Sequence, residues 1–158
     1  MPLFLHSSAF DEGGPIPAAY TCEGENISPP LTLQGSPTQA KSLVLIVDDP
    51  DAPDPRAPKM TWVHWVVYNI PPNTSDFAAG ASQKSLPAGA EEGINDWKQR
   101  GYGGPCPPIG RHRYFYKLYA LDITLPTLDQ PTKANVLNAM KGHVIGESVL
   151  QGTYEKSH

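Results

Sequence analysis

Three stretches of this chain combine residue types that can do chemistry. The first is Asp48-Asp49-Pro50-Asp51-Ala52-Pro53-Asp54, four carboxylates in seven residues. Clustered carboxylate oxygens suit a hard cation. One held carboxylate, here Asp49, suits a specific hydrogen bond, and the run also fits a solvated acidic turn. The prolines stiffen the backbone, so the carboxylates are held in place. The EF-hand pattern fails, because Pro53 occupies a ligand position and no glycine follows. The second stretch is Trp62-Val63-His64-Trp65. Strand alternation puts Trp62, His64, Val66 and Tyr68 on one face. A histidine in so apolar a strand needs a hydrogen-bond partner, whether it serves the core or a ligand. The third runs from Gly101 through Gly103-Gly104-Pro105-Cys106-Pro107-Pro108 to His112-Arg113-Tyr114. Glycines let backbone N–H groups approach a ligand, and prolines fix the loop. Beyond the loop, His112, Tyr114 and Tyr116 share a face. An imidazole, a phenol and exposed amides make a donor set for an oxyanion, or else a plain hairpin loop beside aromatics.

Charge distribution favours the oxyanion. Residues 1–97 carry four basic and twelve acidic side chains, whereas 98–121 carry Lys98, Arg100, Arg111, Arg113 and Lys117 with no carboxylate. An electropositive segment in an acidic protein attracts anions. Asp49 near such a site would be protonated or would meet a cation on the ligand, as on a zwitterion.

Other chemistries find less support. No Gly-x-Ser-x-Gly elbow, Walker loop or dinucleotide fingerprint is present. Zinc at Cys106 and His112 would need the distant Cys22 and His64. Cys106, six residues before His112, reads as a structural thiol more than as an activated nucleophile. No metal or cofactor is expected. A formal net charge of -4 lacks the basic footprint of a nucleic-acid binder. Cys22 and Cys106 look like cytosolic thiols, with one bridge between them still open. No signal peptide or bilayer-spanning run is legible, so a cytoplasmic protein is expected.

The elements that must position these residues follow from the prolines. Of 158 residues, 18 are proline and 14 glycine, which argues against a helical bundle. Proline is absent from 38–49, 59–70, 109–125 and 132–158. Central strands belong in such gaps, because proline cannot donate to a ladder. Leu43–Val47, Thr61–Ile70 and Arg113–Leu121 read as central strands, with outer strands at Leu3–Ser7, Leu31–Leu33 and Ser148–Tyr154. One helix is predicted, capped by Asp129, with Pro131 in its first turn and Gly142 at its end. Val136, Leu137 and Met140 form its apolar face. Segment 71–97 reads as a long surface excursion with one helical turn. The expectation is a mainly β fold, two packed antiparallel sheets with one or two peripheral helices, in a single domain over 1–158.

The ordered set of motifs resembles the phosphatidylethanolamine-binding protein family. It comprises Asp49-Pro50-Asp51-Ala52-Pro53, His64-Trp65-Val66-Val67-Tyr68-Asn69-Ile70-Pro71 and the loop ending His112-Arg113-Tyr114. Tyr20-Thr21-Cys22-Glu23-Gly24-Glu25-Asn26-Ile27-Ser28-Pro29-Pro30-Leu31 and the tail from Gly142 to Tyr154 support it. The resemblance is to the bacterial and archaeal branch, called Raf-kinase-inhibitor-like, although Leu33 stands where that branch usually carries Trp. It implies a β-sandwich with a small anion pocket made by Asp49, His64, Gly104, Pro105, His112 and Tyr114. His64 and Tyr114 would donate to a phosphoryl oxygen, with backbone contacts near Gly104. Asp49 would buttress a histidine or meet the ligand's amine. The implied partner is phosphate or a phospholipid head group, with modulation of a protein kinase and a homodimer also within the family's range. No shared reaction is implied, so a binding protein is expected and not an enzyme. Two alternatives remain. One is a hydrolase using Asp49, His64 and His112 as acid and base. The other is a protease or kinase inhibitor acting through 71–97.

Overall fold

A computed structural model describes residues 2–157. Its three longest central strands occupy the proline-poor stretches. They are β3 (Ser42–Ala52), β4 (Met60–Ile70) and β7 (Arg111–Leu121). With β6 (Glu91–Glu92) and β8 (Val144–Glu155) they form an antiparallel sheet in the order β6-β4-β3-β7-β8. A second antiparallel sheet, β1-β2-β5, comprises Phe4–His6, Leu31–Gln34 and Asp76–Phe77. The fold is mainly β with two antiparallel sheets, as the sequence predicts.

The main core fills the space between the sheets. Leu5, Leu31, Leu33 and Phe77 of the small sheet meet Leu43, Leu45, Val47, Trp65, Tyr116 and Leu118 of the large one. Leu33 fills its place there while only 4% exposed. A second cluster lies on the other face, where Val44, Ile46, Val66 and Tyr68 pack beneath α1 (Lys133–Met140) through Val136 and Met140. Covered on both faces, β3 is buried at almost every position, which explains its unbroken apolar run.

Several boundaries differ from the sequence reading. The acidic run is strand, not turn: Asp48, Asp49 and Asp51 are 1%, 3% and 5% exposed. Pro50 is tolerated because the β3–β4 register breaks between Asp49 and Ala52, and β7 pairs with β3 only as far as Asp48. Helix α1 is capped by Thr132, whose side chain accepts from the Asn135 N–H; Asp129 lies too early. Leu137 is exposed, and Gly142 with φ +81° ends the turn that follows. Segment 71–97 holds no helix. Its β5 pairs with β2, its β6 pairs with β4, and Phe77 and Ala81 enter the core. Cys22 and Cys106 are joined in a disulfide, the alternative that stood open beside their reading as free thiols. A spacing of 84 residues gave no hint that the fold brings them together. Among the described residues no helix is long and apolar enough to cross a membrane.

Candidate functional site

At the end of the large sheet where β3, β4 and β7 come together, a cavity of about 350 Å³ opens between strand ends and loops. Asp49, Ala52 and Pro53 line it from β3 and the turn beyond. Met60, Trp62 and His64 come from β4, His112 and Tyr114 from β7, and Trp97, Cys106, Pro107 and Pro108 from the loops. Asp49, His64, His112 and Tyr114, named from the sequence, therefore converge. Gly104 and Pro105 do not line the cavity. They stand behind its wall, where the Gly104 N–H donates to Asn26 Oδ1 and Pro105 O accepts from the Cys22 N–H. Gly104 is crowded by Asn26 and Tyr20, which leaves no room for a side chain there.

The aim of His64 depends on a β-bulge. Pairing runs Val47↔Trp65 and then Asp48↔Val63, so β4 carries one extra residue at His64. Simple alternation fails there. Trp62 and His64 face the cavity, while Val66 and Tyr68 fall on the helix side of the sheet. His64 Nδ1 lies 2.7 Å from Gly103 O. A carbonyl only accepts, so Nδ1 carries the hydrogen. Burial pushes the ring's pKa down to about 4. At neutral pH the ring is uncharged, with its lone pair on Nε2. Trp97 and Tyr114 approach the ring edge-on at 5.1 and 5.2 Å.

His112 is held differently. Its Nε2 donates toward Ile109 O at 2.8 Å and Pro53 O at 3.1 Å. Its Nδ1 lies 2.6 Å from Asp49 Oδ2. Two lone pairs would repel at that distance, so the contact holds a proton, and the pair is neutral overall whichever atom carries it. Burial pushes the Asp49 carboxyl up, while hydrogen bonds from His112 and the Asp51 N–H pull it back. Both ring nitrogens are engaged, so His112 offers a ligand no free atom.

The other carboxylates of the acidic run diverge. Asp48 turns to the opposite face of the sheet, where its Oδ2 accepts from Lys117 at 3.1 Å and Lys133 at 2.7 Å. Asp51 takes a two-pronged bond from Arg113, which holds its carboxyl below the usual range. Among the described residues no group of three or more His, Cys, Asp or Glu is placed to hold a metal.

Four of the five cations of 98–121 are occupied as well. Arg113 and Lys117 serve Asp51 and Asp48, Arg111 reaches Glu155 at 3.5 Å, and Arg100 donates to Glu92 O. No Lys or Arg lines the cavity among the described residues. Apart from Lys98, the electropositive stretch seen in sequence is spent on internal contacts.

Two of the lining residues carry donors without partners. Tyr114 Oη and Trp62 Nε1 are buried and have no hydrogen-bond partner. Burial raises the Tyr114 phenol, and the Asp49 charge raises it further, so it stays a donor. Trp62 and Trp97, which meet edge-on at 5.5 Å, with Met60 and Ala52 give an apolar lining. Sequence reasoning missed Trp97, which lies in a loop and reaches the cavity only through the tertiary fold. Its ring packs over Gly103, leaving no room for a side chain there. Trp62 was placed on the right face without a role.

The sequence profile of the phosphatidylethanolamine-binding protein family matches residues 6–155. A UPF0098 protein of Methanothermobacter thermautotrophicus is 50% identical over 153 residues, spanning 96% of this chain and 98% of that one. A UPF0098 protein of Chlamydia trachomatis is 47% identical over 152 residues, spanning 96% and 98%. Among solved structures, a phosphatidylethanolamine-binding protein homologue from Chlamydia trachomatis superposes with a TM-score of 0.91 at 46% identity, covering 99% of both chains. Escherichia coli YbcL, a member of the mammalian PEBP family, superposes with a TM-score of 0.88 at 32% identity, covering 99% and 100%. With its profile matched along nearly all its length and its fold shared with these homologues, the chain belongs to the phosphatidylethanolamine-binding protein family.

Proposed function

We propose that the cavity binds a small ligand through a phosphoryl-type oxyanion, such as phosphate or a phosphorylated head group, and that the protein acts by binding and not by catalysis. The observation that carries this reading is the pair of unpartnered buried donors, Tyr114 Oη and Trp62 Nε1, on two residues that line the cavity. A buried donor left unpaired costs about 1–3 kcal/mol, so a ligand bringing acceptor oxygens recovers that loss. The hydrolase alternative is disfavoured because His112 has no free nitrogen to move a proton. The inhibitor alternative is disfavoured because 71–97 is pinned to both sheets. A regulatory role, including modulation of a kinase, would rest on the family likeness alone. The Cys22–Cys106 bond favours an oxidising compartment over the cytoplasm expected from sequence.

The test is a titration of phosphate and phosphoethanolamine followed by tryptophan fluorescence, since Trp62 and Trp97 line the cavity. Tyr114→Phe should weaken binding about fivefold, corresponding to roughly 1 kcal/mol for one hydrogen bond. Equal affinities in the two proteins would remove the reading.

A further inference from the structure

A second cavity, of about 170 Å³, lies at the opposite end of the sandwich from the first. The first meets β3 at Asp49 and Ala52, near the strand's end, and this one meets it at Leu43, near its start. The β4–β5 turn from Pro72 to Ser75 forms one side, and the chain leaving β2 from Gln34 to Ser36 forms the other. Leu3, Leu33 and Leu43 line it from the core, all three buried. Backbone contacts fix these walls in advance. The Leu33 N–H donates to Ser75 O at 2.8 Å, and the Thr74 N–H to Pro71 O at 3.1 Å. Gly35, at φ +76°, abuts the Pro2 carbonyl, which leaves no room for a side chain. Two features say what the cavity can take. Among the described residues no titratable side chain lines it, so an ion would give up its hydration without a counter-charge. Ser36, a lining residue, carries a buried hydroxyl with no hydrogen-bond partner. A native structure rarely leaves such a group unpaired, and an orphan marks a missing water or ligand. A buried water needs about two to four polar partners, and the three leucines offer none. An apolar cavity of about 150 Å³ is large enough to hold benzene.

We propose that this cavity is a second binding site, for a small neutral molecule with a compact hydrocarbon body and one hydroxyl, of about the size of phenol. The body packs on Leu3, Leu33 and Leu43, and the hydroxyl pairs with Ser36 Oγ. The site does not depend on the phosphoryl reading of the first cavity, with which it shares no lining residue.

The experiment titrates the isotope-labelled intact protein with phenol and with toluene, its isostere without the hydroxyl, and follows backbone amide shifts by NMR. Residue-resolved shifts are needed because the aromatic lining of the first cavity can also take a ring. Phenol should give saturable shifts at residues 33–36 and 73–75. A purely apolar cavity prefers toluene, whose methyl gives up less hydration than a hydroxyl. Here phenol should bind at least as tightly as toluene. Ser36→Ala should weaken phenol about fivefold and leave toluene unchanged. Leu33→Trp should fill the cavity and remove these shifts for both probes. Ser36→Ala leaves the leucines in place, so it decides the matter even where Leu33→Trp fails to fold. Absence of saturable shifts at 33–36 and 73–75 overturns the proposal, since the cavity then holds water alone. Shifts confined to residues 62–64, 97 and 106–114 put the probe in the first cavity and overturn it too. Ser36→Ala weakening both probes equally, or neither, shows that the hydroxyl takes no part, and the proposed ligand chemistry fails.

Discussion

His64 and His112 are both buried, yet their surroundings hold their protons in different ways. His112 is clamped between Asp49 and two carbonyls, while His64 has one carbonyl partner and otherwise aromatic neighbours. The folded pKa of His64 is about 4, against 6.5 for the free side chain. Between these values the unfolded chain binds the proton and the folded one does not. Acid therefore favours unfolding, and the stability is lost as pH falls below 6.5 toward 4. From pH 7 to 4.5 that amounts to about 2 kcal/mol. Asp51 acts in the same direction at lower pH, because its lowered carboxyl contributes stability present above 3.8 and lost below it. Asp49 acts in the opposite direction, because its raised carboxyl contributes stability present below 3.8 and lost as pH rises through its folded value. Comparison with His64→Gln isolates the histidine. Urea unfolding at pH 7 and 4.5 should show the wild type losing about 2 kcal/mol more than the variant. Equal losses would mean that His64 is solvated or already protonated in the native state.

At the scale of elements, the cavity depends on one irregularity in β4 and one cross-link behind a loop. The bulge turns His64 inward beside Trp65, and the disulfide ties Cys106 of the wall to exposed Cys22. Closing a loop over 84 residues of sequence separation is worth about 4–5 kcal/mol in the chain-entropy account. Without reductant, thiol titration of the unfolded protein should find no free cysteine. Cys22→Ser/Cys106→Ser should lower stability by an amount approaching that figure. Two titratable thiols in the untreated protein would show the bond to be absent. These features also mark how far the sequence could be read. Proline-free stretches located the strands because an interior ladder excludes a residue without an N–H. Alternation correctly gathered His112, Tyr114 and Tyr116, which lie on a regular strand with no break until Ala120. The same rule misassigned Val66 and Tyr68, because nothing in Trp62-Val63-His64-Trp65 announces an extra residue. The disulfide, the reach of Trp97 and the burial of the acidic run depend on contacts between distant segments, so periodicity does not carry them.

Across the whole molecule, net charge and charge placement act in different directions. The chain carries a formal charge of -4, and four of the five cations beside the site in sequence are engaged with Asp48, Asp51, Glu155 and the Glu92 carbonyl. The neutral Asp49–His112 pair and uncharged His64 leave a cavity lined by polar and apolar groups without a net positive charge. A site built on lysine or arginine would lose anion affinity as salt screens the attraction, over a Debye length of about 10 Å at 0.1 M. Here screening mainly weakens the repulsion between an acidic protein and an anionic ligand. Phosphate affinity measured from 20 to 300 mM sodium chloride at pH 6 should therefore stay constant or tighten by about twofold. A tenfold weakening over that range would show that an arginine or lysine leaves its carboxylate to meet the ligand. Arg113 is the candidate for such a move, because its guanidinium is half exposed and its partner Asp51 lies in the same strand as Asp49. Arg113→Gln would then abolish the salt dependence, whereas an undisturbed Arg113–Asp51 pair predicts that the substitution leaves it unchanged.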